Sequence, residues 1–250
     1  MTLPDGLSLG FSSDDAVIVT GAGSGIGAAT ARAAAALGLK VAAWDVETTG
    51  LVPVVDEIVA SGGTAISAQV DVGDPDAVRR ALSESTGQLG RIRYLVNNAG
   101  PASAGNLEFN TALLLAAGSV RDVTAAWLDQ GVPLGASLVN VASVAGNVIG
   151  TAPDWYPAAK AAIMGYTRHL AAYRSADVRA NAVAPGMTDT PRLASFRDSE
   201  MGQRVVGRIP LRRMATPEEI AGPILFLLSP LASYINGALL IVDGGWTVTQ

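Results

Sequence analysis

The chain has 250 residues, 49% hydrophobic and only 16% charged, enough apolar surface for one large buried core and too much for a disordered polymer. Seventeen Lys and Arg against 22 Asp and Glu give a net charge of -5, with no basic run suited to neutralising phosphates, so DNA and RNA are excluded as expected partners. Cysteine is absent, which removes disulfides, thiolate metal ligands and a cysteine nucleophile.

The opening MTLPDGLSLGFSSDD has neither the basic start nor the continuous apolar run of a secretory signal, and no later segment supplies eighteen uncharged apolar residues. The expected location is therefore the cytoplasm, without membrane association. Residues 1–15 read as a short flexible arm ahead of a single domain over 16–250.

Seven short runs rich in Val, Ile, Leu and Ala follow in order: 16–20, 40–45, 65–72, 93–99, 137–143, 178–184 and 238–244. They do not alternate strictly between apolar and polar residues, and longer helical patterns separate them. That is the signature of strands covered on both faces, so the prediction is an α/β fold, a doubly wound seven-stranded parallel sheet with helices on both faces. Between the first two strands, IGAATARAAAALGLK is a good helix former stopped at Gly38. Thr216-Pro217-Glu218-Glu219 places a hydroxyl cap, a first-turn proline and an acid at the capping-box position, so its paired carboxylates read as a helix start rather than an acid/base pair.

Directly after the first strand come Gly21, Gly23, Ser24, Gly25, Ile26 and Gly27, opening a helix whose free N–H groups and positive dipole end suit a pyrophosphate. A glycine turn alone is often an ordinary strand-to-helix turn. Here a strand precedes it, a helix follows, and an acid, Asp45, ends the second strand about twenty residues on. Asp45, followed by Val46, is placed to accept hydrogen bonds from adenosine ribose hydroxyls and to repel a 2'-phosphate, which points to NAD(H) as cofactor. Taken alone, such an acid is commonly just solvated.

Tyr156 and Lys160 stand four residues apart in YPAAKAAIMGYTRHL, and on a helix they share a face. An ammonium near a phenol favours phenolate and makes the tyrosine a usable proton acceptor. The spacing by itself is a surface coincidence more often than a catalytic pair. His169, among apolar residues of the same segment and without a second ligand at metal-binding spacing, reads as structural, and no metal is expected.

The glycine turn, Asn97-Asn98-Ala99-Gly100, Ser143 thirteen residues before Tyr156, Lys160 and Pro185-Gly186, in this order, resemble the short-chain dehydrogenase/reductase family from about Ala16 to the terminal VDGGW. The resemblance implies a single-domain Rossmann fold and an oxidoreductase moving a hydride between NAD(H) and a secondary alcohol or ketone. It implies that Ser143 orients the substrate oxygen, Tyr156 acts as general acid/base, and Lys160 holds the ribose and lowers the tyrosine pKa. It also assigns Asp71 and Val72 to the adenine, Asn98, Ala99 and Gly100 to the ribose turn, and Pro185, Gly186, Thr188 and Thr190 to the nicotinamide amide.

The family also carries an asparagine at a kink in the helix after the fourth strand, where it serves a proton relay. Asn110 is the candidate and Asn106 its rival, although both lie unusually near Asn97, and helix capping is the plain alternative for either side chain. For substrate, Val144, Asn147, Trp155 and Met187 are candidates for an apolar pocket with an amide handle, each equally able to be packing. Arg192 and Arg197 fall in the lid segment, positioned to recruit an anionic group or simply to face solvent. A homotetramer follows from the family habit. Two other readings stay open: a cofactor-binding regulator or scaffold without turnover, and a lyase or isomerase using the nicotinamide transiently.

Overall fold

A computed structural model describes residues 8–101 and 107–249. Seven parallel strands, β1 Ala16–Thr20, β2 Lys40–Asp45, β3 Ala65–Gln69, β4 Ile92–Asn97, β5 Ala136–Val141, β6 Val178–Pro185 and β7 Leu239–Val242, form one sheet in the order β3-β2-β1-β4-β5-β6-β7. All seven predicted strands are present. The largest shift of a single strand end is at β3, which stops at Gln69 because the next residues turn: Asp71 accepts the Gly73 N–H on its side chain at 2.8 Å and the Asp74 N–H on its carbonyl at 3.0 Å.

Helices cover both faces: α1 Gly25–Ala36, α2 Thr48–Ala60, α3 Pro75–Leu89, α4 Phe109–Leu113, α5 Ser119–Asp129, α6 Trp155–Tyr173, α7 Ala194–Arg197, α8 Glu200–Val206 and α9 Pro217–Leu228. The two-residue period of a strand sends Val17 and Val19 to the layer formed by α1, α2 and α9, and Ala16 and Ile18 to the layer containing α3, α5 and α6. Every residue of β1 is therefore buried, which explains the missing alternation in its sequence. The alanines of α1 keep that helix close to the sheet and to α9, and Gly38 ends the segment in a left-handed conformation.

The expected flexible arm does not extend to Asp15. Leu9 is buried in the core, Phe11 packs edge-on against Tyr94 with ring centroids 5.3 Å apart, and Asp15 pairs with Arg93 at 3.1 Å. The apolar residues of this segment, interleaved with polar ones, gain more from covering the edge of the core than from remaining in water.

The capping box at the start of α9 is present: the Glu219 N–H donates to Thr216 Oγ1 and the Thr216 N–H to Glu219 Oε2 at 2.8 Å. Arg213 grips the same carboxylate through both terminal nitrogens, at 2.6 Å each. Arg213 first, and then the Thr216 backbone, hold Glu219 down at about 2. At the other end of α9, Arg179 on β6 donates to the carbonyls of Leu227, Leu228 and Ser229, satisfying groups that a helix end leaves open. The chain order reverses on either side of β1, so a crevice opens beyond the carboxyl ends of β1 and β4.

Candidate active site

That crevice is a cleft of about 440 Å³ running from Asp45 to Lys160. Its first wall is the glycine turn. Thr20 Oγ1 accepts the N–H groups of Asn98 and Ala99 at 3.0 Å each, and Asn98 Nδ2 donates to the carbonyls of Thr20 at 2.9 Å and Gly21 at 3.1 Å. These bonds stitch the β1 turn to the β4 turn. They require backbone to lie against backbone: a Cβ on Gly27 would overlap the Gly21 carbonyl and sit 2.6 Å from Asn98 Nδ2. Gly27 is thus a packing glycine behind the cleft wall, while Gly21, Gly23, Ser24, Gly25 and Ile26 line it. Gly21 and Gly25 have φ of +66° and +52°, conformations that favour glycine.

At one end, Asp45 Oδ2 accepts the Gly23 N–H at 2.9 Å and Oδ1 the Glu47 N–H at 3.1 Å, which holds the carboxylate on the rim beside the turn. Val46, Glu47, Thr49 and Gly50 complete this end. Gly50 belongs there because a Cβ would come within 2.5 Å of the Gly23 carbonyl, a requirement that left no motif in the sequence.

At the other end Ser143, Tyr156 and Lys160 converge. Ser143, two residues past β5, is buried and accepts the Ala145 N–H at 3.1 Å, and its hydroxyl acts on the nearby Tyr156 phenol. Lys160 donates to the Val141 carbonyl at 2.8 Å, with its ammonium 5.8 Å from the centre of the Tyr156 ring. Asp154 caps α6 by accepting the Trp155 N–H, and Trp155 meets the Tyr156 ring edge-on at 5.6 Å. Burial pushes the Tyr156 phenol above its usual value, against the Ser143 hydrogen bond and the charge of Arg192, which pull it down. In the protein alone the cost of burying a phenolate exceeds the help that Ser143 and Arg192 give. Burial, and then Arg192, bring Lys160 down to about 8.

Asn98, Ala99, Gly100, Pro185, Gly186, Thr188 and Thr190 line the cleft as anticipated, joined by Pro101, Val141, Ala142, Arg192 and Leu193. Asp71 and Val72 do not: Asp71 is exposed and begins the turn after β3, and Val72 packs against the core. None of the four substrate candidates lines the cleft either. Val144 and Trp155 are buried, and Met187 is half-buried with its carbonyl accepting the Ala215 N–H. Asn147 spends both amide hydrogens on backbone, donating to the carbonyls of Ser143 at 2.9 Å and Lys160 at 3.1 Å. It is a clamp between the end of β5 and α6.

Asn110 is also outside the cleft. It is exposed on the first turn of α4, where its N–H donates to Glu108 Oε1 at 3.0 Å, and Glu108, not Asn110, caps the helix. The helix irregularity that the resemblance implies is present four residues later, as a turn of π-helix over Leu114–Gly118, but that turn carries no asparagine. Ser119 Oγ donates to the Leu115 carbonyl at 2.7 Å there. Asn106 lies outside the described residues. His169 stacks with Tyr166 and Tyr173, with centroids 6.2 and 5.2 Å away, in keeping with a structural role.

Residues 21–247 match the family described as "Enoyl-(Acyl carrier protein) reductase". The chain belongs to the short-chain dehydrogenase/reductase family. It is similar to a cyclohexanol dehydrogenase from Acinetobacter sp. (strain SE19), 34% identical over 248 residues that cover 94% of this chain and 96% of the other. An uncharacterised short-chain type dehydrogenase/reductase of Sinorhizobium fredii is 38% identical over 92% of this chain, which spans only 43% of that protein's length. Among solved structures, a 7α-hydroxysteroid dehydrogenase complexed with NADH and 7-oxo glycochenodeoxycholic acid superposes with a TM-score of 0.86 at 30% identity, covering 96% of this chain and 99% of the other. Family and fold together make this chain a Rossmann-type oxidoreductase. No helix among the described residues is long and apolar enough to cross a membrane.

Proposed function

We propose that the chain is an NAD(H)-dependent dehydrogenase of secondary alcohols, reducing the corresponding ketones in reverse, with Tyr156 as general acid/base. The observation that carries this reading is the meeting of Ser143, Tyr156 and Lys160 at one end of a cleft whose other end presents Asp45. The residues fit a dinucleotide. The N–H groups opening α1 and the stitched glycine turn suit a pyrophosphate, Asp45 suits two ribose hydroxyls, and Lys160 with the Asn98–Gly100 turn suits the second ribose. When bound, the nicotinamide supplies the hydride acceptor and a positive charge near the phenol.

The protein's own part is positioning and proton transfer. Ser143 holds the substrate oxygen beside Tyr156, whose phenolate takes the hydroxyl proton in oxidation and whose phenol returns it in reduction. A neighbouring nicotinamide cation offsets the burial that pushes the phenol upward. The four candidates that turned away from the cleft leave the substrate end to Ala142, Ser143, Leu193, Arg192 and backbone, and the cyclohexanol relative supports a cyclic secondary alcohol as the first compound to try. A homotetramer remains the expected assembly from family habit.

The test is oxidation of cyclohexanol-type secondary alcohols followed at the nicotinamide absorbance band, with NAD+ and NADP+ in parallel and Tyr156→Phe as control. Turnover with NAD+ that the variant loses supports the reading. NADH binding without turnover of any alcohol or ketone overturns it in favour of a regulator, and equal use of NADP+ overturns the role given to Asp45.

A further inference from the structure

The lid after β6 carries two arginines with different surroundings. Arg197 is neutralised: its Nη1 meets both carboxylate oxygens of Asp189 at 2.9 and 3.1 Å, and its Nε meets Asp198 at 2.9 Å. Arg192 has no acidic partner among the described residues. Its Nη1 donates to the Gly100 carbonyl at 3.0 Å, so the side chain reaches from the lid to the turn after β4, and it lines the cleft together with Ser143, Tyr156 and Lys160.

The charges of the cleft are sorted by end. Both carboxylates among its lining residues, Asp45 and Glu47, stand at the end of β2, three strands away from β5 in the sheet. At 4.7–4.9 Å per strand that separation is roughly 14 Å. The catalytic end holds two cations, Lys160 and Arg192. Lys160 is bound to the Val141 carbonyl and placed for the cofactor ribose. Arg192, exposed at the cleft mouth, uses one of its five donors on a neutral acceptor and leaves the rest of its charged planar fork available to a ligand in the cleft. Its field reaches them, since it pulls down the pKa of both Tyr156 and Lys160. The pyrophosphate has its own donors at the start of α1. Thr190 packs there, its Cγ2 3.0 Å from where a Cβ on Gly25 would stand, while Arg192 is turned to the Gly100 side.

We propose that Arg192 is an anion anchor for the substrate, and that the preferred substrates are secondary alcohols or ketones bearing a carboxylate remote from the reacting carbon. The carboxylate takes two N–H groups of the guanidinium fork as Arg192 leaves the Gly100 carbonyl, and Ser143 and Tyr156 hold the oxygen at the other end of the molecule. This inference rests on the dehydrogenase reading above and names its substrate class.

A matched series tests it: 4-hydroxycyclohexanecarboxylate, its methyl ester and its primary amide, oxidised with NAD+ by wild type, Arg192→Met and Arg192→Lys. Wild type is expected to favour the acid over the ester by at least about tenfold in kcat/KM. Arg192→Met is expected to lose roughly tenfold to a hundredfold more on the acid than on the ester, as removal of a bidentate charged contact does, with Arg192→Lys between. A second readout needs no turnover: cyclohexanecarboxylate titrated into the enzyme–NADH complex should perturb NADH fluorescence in wild type and not in Arg192→Met. An acid no better than its ester in wild type overturns the proposal. So does an equal loss on acid and ester, or a weaker NADH affinity in Arg192→Met, either of which makes Arg192 a cofactor or positioning group. Failure of the dehydrogenase reading looks different: no member of the series is turned over, while the cyclohexanecarboxylate titration still decides whether Arg192 binds a carboxylate.

Discussion

Lys160 is held in the protein at a cost to folding, and replacing it with methionine should make the chain more stable. Burial lowers its pKa from 10.5 to about 8, so the folded protein disfavours the ammonium relative to the unfolded chain. At about 1.4 kcal/mol per pH unit that gap corresponds to roughly 3 kcal/mol at pH 7. Methionine of similar length removes the buried charge but also the bond to the Val141 carbonyl, which returns about 1–2 kcal/mol of the gain. The net expectation is a stabilisation of about 1–2 kcal/mol at pH 7. The pH dependence carries its own sign. Between about 8 and 10.5 the unfolded chain binds more protons at this site than the folded one, so wild-type stability gains with rising pH there, and the advantage of Lys160→Met shrinks, vanishes before the top of that window and becomes a deficit above it, where only the lost Val141 bond remains. Urea unfolding of both proteins at pH 7 and pH 10, without cofactor, reads this directly from the midpoints. A variant less stable than wild type at pH 7, or an advantage that does not shrink toward pH 10, refutes the reasoning.

Asn147→Ala leaves the Ser143 and Lys160 carbonyls without their shared donor, so a loss of about 1–3 kcal/mol in urea unfolding is expected, with kcat falling more than NADH affinity in the surviving enzyme. Asp45→Ser should weaken NADH by about tenfold, near 1.4 kcal/mol, and narrow the gap to NADPH, measured by fluorescence titration. Because burial raises the Tyr156 phenol, oxidation should climb with pH through the alkaline range while ketone reduction, which uses the protonated phenol, should fall there; parallel kcat/KM profiles with NAD+ and NADH check this. Gly27→Val drives a side chain into the Gly21 carbonyl and Asn98, and should abolish NADH binding or folding, seen as loss of a cooperative melt.

Much of this protein was legible along the chain because its key features are local. Strand-length apolar runs between helical patterns specify a parallel sheet whatever surrounds them, and the glycine turn, Ser143, Tyr156 and Lys160 sit where a strand end or an early helical turn must hold them. The capping box at Thr216–Glu219 is equally local. The misplaced residues share another property. Trp155, Asn147 and Asn110 are each near a catalytic residue or motif in sequence, yet the direction of each side chain is set by distant partners or helix phase: Trp155 is buried as α6 starts, Asn147 is taken by two carbonyls seventeen residues apart in the chain, and Asn110 falls on the solvent side of α4. Sequence alone determined the sheet, the family and the residues that meet at the two ends of the cleft, Ser143, Tyr156 and Lys160 at one and Asp45 at the other. Only the tertiary structure separated the two lid arginines, because the pairing of Arg197 with Asp189 depends on how the lid folds on itself and the reach of Arg192 to Gly100 on its lying over a turn ninety-two residues earlier. A charge acquires its meaning from what neutralises it, and that partner is chosen in space.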